Sequence, residues 1–399
     1  TSAVFTLDNT APTFTINNGT APGPVQTDTI NVTVDATVSG LDTSEYGFSP
    51  DSTCDATDTF GNLFTSGVDF FIADNHTDFL CVKATDMATN VGYQLVGQLN
   101  TDNTAPTLVS AVTVDYTHIN VTFSEDLNGV TVTNADFAVA GNTLVAPDAF
   151  EVSPGVVRLT LGTPIGAADT PLVTVNGPVV EDLAGNQMLV PVSVTPTDGI
   201  APTVFEVTPV TNPTNEINPA YTFNSDEAGA IIYGNCIGFA PTAAAGNNLI
   251  LFGSLAEGNH ADCTITVTDS SLNTSNLLAV LLFFVDRVLP LVNAGTDKVV
   301  NATVSQNATV TDADPSSGIA TYHWSQQSGP GTVTFGSVGS EDTTLTADVD
   351  GTYLVRLTVT DLAGNLNADD MTLVWDTTPP SAFTVGGVFT TGGTVVAGY

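Results

Sequence analysis

Val359-Thr-Asp-Leu-Ala-Gly-Asn365, followed by Asp376-Thr-Thr-Pro379-Pro380, is the stretch on which the reading of the chain turns. Its Asp-Pro ending recurs at Asp8-Asn-Thr-Ala-Pro12, Asp102-Asn-Thr-Ala-Pro106, Asp198-Gly-Ile-Ala-Pro202 and Asp286-Arg-Val-Leu-Pro290, with Asp spacings of 94, 96, 88 and 90 residues. Its D-x-x-x-N element recurs in step at Asp86…Asn90, Asp182…Asn186 and Asp269…Asn273, each Asn 11 to 13 residues before the next junction Asp. Two independent features in phase over four units define a repeat. Between them lie short runs that alternate apolar and polar residues, such as Thr29–Val34, Ile119–Phe123, Tyr353–Val359 and Met371–Trp375. Gly, Asn, Asp and Pro separate these runs, and no stretch keeps a helical apolar period.

About seven short strands per ~90 residues predict an all-β chain of tandem Ig-like, fibronectin-like β-sandwich domains in an extended rod. The D-x-x-x-N element becomes the hairpin loop between the last two strands, closed by side-chain-to-backbone hydrogen bonds. The boundaries follow: 1–8 the last strand of a preceding domain, then domains at 9–102, 103–198, 199–286 and 287–376, and 377–399 the start of a following domain. The chain therefore reads as a cut from a longer array. Strand donation between subunits is the rival reading of the ends, but 8 and 23 residues together are too few for a sandwich. Four sandwiches, with ten-residue strands of ~33 Å, give a rod on the order of 150 Å.

Several of these motifs carry a resemblance. Val359–Asn365 with Asp376–Pro380 resembles bacterial Ig-like repeats of long cell-surface proteins of adhesin and S-layer type. Tyr322-His-Trp-Ser-Gln-Gln-Ser-Gly-Pro330 and Asp350-Gly-Thr-Tyr353…Asp361 make the unit 287–376 similar to a PKD domain. Val121-Thr-Phe-Ser-Glu-Asp126 and Asn134-Ala-Asp-Phe137 resemble another subclass of such repeats. The resemblance implies architecture and a cell-surface setting, not an activity.

The composition agrees with that setting. Five Lys and Arg face 42 Asp and Glu, a net charge of −37, which repels nucleic acid and anionic lipid and attracts cations. Thirty-three of the acids are Asp, the shorter residue that favours turns and can grip a metal from a loop; a uniformly acidic, halophile-like surface is the competing reading. At 42% hydrophobic residues each unit can bury a core, which argues against disorder. The longest apolar run, Leu277–Val285, is nine residues, too short to span a membrane and suited to a buried strand. The N-terminus has no basic signal-peptide region.

Cys54 and Cys81, and Cys236 and Cys263, are each 27 residues apart, the second of each pair just before a D-x-x-x-N loop. This makes the first and third units sisters, each with one disulfide contributing about 3 kcal/mol by the loop-entropy model. Disulfides imply an oxidising, extracellular compartment. A zinc site with the nearby His76 and His260 is the competing reading, but neither pair has zinc-type spacing. No nucleophile, phosphate-loop or metalloprotease motif is present, and the four His are scattered, so no enzyme activity is expected. Seven N-x-S/T sequons, at Asn18, Asn31, Asn75, Asn120, Asn273, Asn301 and Asn307, are about the number chance supplies. The turn Asp348-Val-Asp-Gly351 starts like an EF-hand but lacks its distal Glu.

Metal is the better use of the acids. An Ig-like topology should bring Asp8 to Asp86, Asp102 to Asp182, Asp198 to Asp269 and Asp286 to Asp361. It should add the loop after the second strand: Glu125 and Asp126, Asp226 and Glu227, Asp312 and Asp314, and in the first unit Asp35 or Asp42. Clustered carboxylates with backbone carbonyls form the oxygen shell that Ca²⁺ takes, and Asp-Asn-Thr-Ala-Pro resembles cadherin linkers. Interdomain calcium is therefore the expected cofactor, with turn hydrogen bonding alone as the alternative. The expected partners are copies of the chain or neighbouring Ig-like domains in a surface assembly. The function reads as a structural segment of a surface filament, sheath or S-layer. A calcium-stiffened adhesin stalk or accessory modules of an extracellular enzyme are the alternatives.

Overall fold

The computed structural model describes residues 7–176, 180–313 and 315–382. The expected first strand at 1–8 and the segment 377–399 lie largely, and Asp314 wholly, outside them. The chain divides into two compact units, one of residues 7–202 with 269–273, the other of 203–268 with 274–382. Both are built of β-strands, with a single 3₁₀ turn at Asn134–Asp136 as the only helical element among the described residues. As the sequence pattern requires, these are Ig-like and fibronectin-like sandwiches.

In the first unit, strands Thr13–Asn18, Asp28–Asp35 and Phe70–Ile72 form one antiparallel sheet. Thr59–Leu63, Leu41–Ser49, Phe79–Asp86 and Val91–Gln98 form the facing one. Alternation decides which residues meet: Ile30, Val32, Val34 from one sheet and Leu80, Val82, Ala84 from the other are buried in one cluster. A second cluster draws Ile119, Val121, Phe123, Val157 and Leu159 against Phe137, Val139, Val173 and Val175. Its sheets are Leu108–Asp115, His118–Phe123, Val156–Thr160, Phe150–Ser153 and, opposite, Phe137–Val139, Val173–Val175, Val192–Val194.

The second unit repeats the plan. Tyr221, Phe223 and Ile250 pack on Ile231, Ile265 and Val267. Trp324, Leu345, Tyr353, Val355, Leu357, Met371 and Leu373 form another core, where the Trp324 indole N–H donates to the carbonyls of Ser340 and Glu341. Gly351–Asp361 alternates buried and half-buried residues along nearly all of its length, as a strand with one face on a core must.

One connection recurs in every core. An early segment of each repeat pairs in parallel with its last strand or the segment just after it: Val25 with Thr101, Val112 with Thr197 and Thr214 with Val285 as single bridges. In the fourth, Lys298–Val300 pairs with Leu373–Trp375 as a ladder.

The apolar run Leu277–Val285 is not one buried strand. Leu278–Ala279 pairs with Thr264–Thr268, and Phe283–Val285 pairs with Gly258–His260. Leu281 and Leu282 between them are exposed. Two consecutive outward residues shift the alternation by one, so Leu278 and Val280 before the break and Phe283 and Val285 after it all face the core.

Candidate functional site

Each junction begins with the same local event. The junction aspartate's Oδ1 accepts the backbone N–H two residues on: Thr10 onto Asp8 at 2.9 Å, Thr104 onto Asp102 at 2.9 Å and Ile200 onto Asp198 at 2.9 Å. Val288 onto Asp286 at 3.1 Å and Thr378 onto Asp376 at 3.0 Å complete the series. A short carboxylate that closes a turn on itself fixes the chain just before the proline four residues on, or three at Pro379.

The D-x-x-x-N loops are built alike. Asp86, Asp182, Asp269 and Asp361 each accept the backbone N–H of the Asn four residues later, at 2.8–2.9 Å. The Asn amide donates one hydrogen back to the same Asp, at 2.7–2.9 Å. Its second hydrogen goes to the junction Asp's backbone carbonyl: Asn90 to Asp8 at 3.1 Å, Asn186 to Asp102 at 2.8 Å, Asn273 to Asp198 at 3.2 Å and Asn365 to Asp286 at 2.8 Å. One side-chain amide thus ties its own loop to the linker that leads into the repeat. An Asp in place of the Asn would have no hydrogen to give, and a Gly no side chain. The residue before each Asn is left-handed: Thr89 (φ 70°), Gly185 (90°), Leu272 (72°) and Gly364 (94°).

These contacts put expected junction and loop aspartates together, Asp198 and Asp269 with an oxygen each within 4.8 Å among them. Asp102, Glu125 and Asp182 bring one oxygen each within 4.8 Å of one another, and so do Asp286, Asp312 and Asp361. Asp286, Asp361 and Asp182 are nearly solvent-free, at 0%, 2% and 2% exposure. Asp126 is exposed and lies outside its group. Asp226 is exposed and accepts the Thr203 N–H at 2.6 Å, while Glu227 is buried on the same turn. In the first repeat Asp8 and Asp35 line a common concavity, and Asp42 is exposed.

Burial, reinforced by the negative Asp102 and Asp182, pushes the Glu125 carboxyl up to about 7. Two unit charges 4–5 Å apart repel by about 3–4 kcal/mol at an effective dielectric near 20, so three carboxylates at this spacing call for a proton or a cation. Asp86 behaves oppositely: burial opposes its ionisation, but the Asn90 side chain and N–H hold its carboxyl below the ordinary range.

The cysteines are joined as Cys54–Cys81 and Cys236–Cys263, with Cα separations of 5.7 and 5.0 Å. With the sulfurs bonded to each other, the zinc reading loses its thiolates. The histidines near them pack instead: His76 stacks on Phe48 at 3.9 Å and His260 on Phe283 at 5.3 Å between ring centroids.

Residues 294–374 match a family model for the PKD domain, so the fourth repeat is a PKD-type sandwich. No curated protein matches the whole chain or part of it. Among solved structures, the PKD domain from KIAA 1837 protein is 24% identical over 23% of this chain and 92% of its own, at a TM-score of 0.20. Titin domains A168–A170 are 11% identical over 67% of this chain and 97% of theirs, at 0.35. The S-layer protein rSbsC(31-844) is 12% identical over 70% of this chain and 55% of its own, at 0.20. The chain is a tandem repeat of Ig-like β-sandwiches that includes a PKD domain.

Proposed function

We propose that this chain is a structural segment of an extracellular surface filament, sheath or S-layer, with function set at its junctions. The observation that carries the reading is the fourfold Asn clamp, which holds each linker carbonyl to the loop of the repeat that follows. A chain that repeats identical chemistry at four successive joints is built to control how one repeat leads into the next. The two bonded cysteine pairs fit an oxidising exterior, and the charge of −37 keeps such a surface soluble and cation-rich. The partners are then copies of the same chain or neighbouring Ig-like domains.

Calcium is the cofactor proposed for these joints. Asp102, Glu125 and Asp182, and Asp286, Asp312 and Asp361, offer the hard, irregular oxygen sets that Ca²⁺ accepts. Binding there would relieve the carboxylate repulsion and stiffen the linker. A thermal melt in calcium against one in EGTA tests the metal: a higher midpoint in calcium is expected, and an unchanged midpoint in EGTA rules out structural calcium. Immunogold electron microscopy of intact cells tests the assembly. Label in a continuous surface layer or along filaments is expected. Label only on isolated projections favours the adhesin stalk, and label inside the cell overturns both.

A further inference from the structure

The seven sequons look equivalent in sequence, but the fold sorts them. The Asn273 amide is engaged by the Asp198 carbonyl and by Asp269. Asn31 donates to Asp69 at 2.6 Å, Asn75 to the Thr104 hydroxyl at 2.6 Å, and Asn18 to the Thr29 carbonyl. Asn120 sits within the strand His118–Phe123, its side-chain oxygen accepting from Arg158 at 3.0 Å. A sugar on any of these nitrogens would displace a hydrogen bond that holds the fold or crowd a paired strand.

Asn307 differs. It is exposed on the turn between Val304–Gln306 and Thr309–Thr311, and among the described residues neither its side chain nor the Thr309 hydroxyl has a hydrogen-bond partner. It also opens onto a shallow cleft lined by Ser305, Ser337, Asp342, Thr343 and Thr344. The Ser305 and Thr344 hydroxyls and Asp342 Oδ2, whose other oxygen already accepts the Ala308 N–H at 2.9 Å, suit the hydroxyl groups of a sugar. Asn301 is exposed as well, but its Thr303 hydroxyl is tied to Thr346 at 2.8 Å.

We propose that Asn307 is an N-glycan acceptor, with the first sugars lying in the cleft beside it. The inference rests on the extracellular reading, because transfer requires export. In the transfer, Asn307 Nδ2 bonds to the anomeric carbon of a lipid-pyrophosphate-linked oligosaccharide. The anomeric C–O bond breaks with its electron pair on the departing lipid pyrophosphate, and the amide loses one proton to the transferase.

Peptide mass spectrometry on the full chain from its natural source decides the matter. The Asn307 peptide should carry a glycan adduct at higher occupancy than the Asn301 peptide, with Asn273 bare. Thr309→Ala, an exposed change that leaves the melt unaltered, should abolish the adduct at Asn307 alone. A bare Asn307, occupancy below that of Asn301, or an adduct surviving in T309A overturns the proposal. Thiol titration on the same sample separates the two readings. Oxidised cysteines with a bare Asn307 defeat the glycan alone, whereas free thiols defeat the extracellular reading too.

Discussion

The first and third repeats make the same D-x-x-x-N loop as the second and fourth, but from different materials. The second and fourth place Gly185 and Gly364 at the left-handed position before the Asn, where glycine meets no steric penalty. The first and third hold Thr89 and Leu272 there, and for a β-branched or bulky residue that conformation costs about 1–2 kcal/mol. These same two repeats carry a disulfide, whose second cysteine, Cys81 or Cys263, lies five or six residues upstream on or beside the strand entering the loop. The difference teaches that loop geometry is the invariant, held by relaxed backbone in one pair of repeats and alongside a covalent staple in the other.

The comparison breaks most sharply at the staple. Cys54→Ser with Cys81→Ser should lower the stability of the first repeat by about 3 kcal/mol, and calorimetry should show the other transitions unmoved. Asn186→Ala should come next, since it strips a donor from the buried Asp182 and from the Asp102 carbonyl. A loss of about 2–3 kcal/mol in a chemical-denaturation curve is expected.

A third test uses pH. Glu125 has a raised carboxyl in the folded state, so its ionisation opposes folding. Stability is lost as pH climbs from the unfolded value near 4.3 towards 7. In chelator, Glu125→Gln should therefore melt above wild type at pH 8 and level with it at pH 4. In calcium the wild type should gain more than the variant. The smallest effect is at the left-handed position: Thr89→Gly should stabilise the first repeat by up to about 1 kcal/mol and Gly185→Ala should destabilise the second by a similar amount, both read as midpoint shifts.

Much of this was legible in the chain. The period and the alternation in Asp28–Asp35 and Gly351–Asp361 fix strands and inward faces, because a period of two leaves little choice once one face is buried. The approach of Asp102 to Asp182, and of Asp286 to Asp361, follows from topology. The second role of the Asn residues did not: a turn needs only one of the amide hydrogens, and the partner of the other is a carbonyl more than seventy residues away. Nor does local pattern say that Glu125 rather than Asp126 turns inward, since the alternation lapses where the strand ends at Phe123. The break in Leu277–Val285 was hidden because nine apolar residues in a row carry no alternation to interrupt.

The parallel pairing of early and late strands has a mechanical consequence. If a repeat is pulled by its two ends, strands that run parallel slide along each other, so their hydrogen bonds are loaded together rather than opened one by one. In the first three repeats that contact is a single bridge, whereas in the PKD repeat it is the ladder of Lys298–Val300 against Leu373–Trp375. Under tension the fourth repeat should therefore be the last to yield.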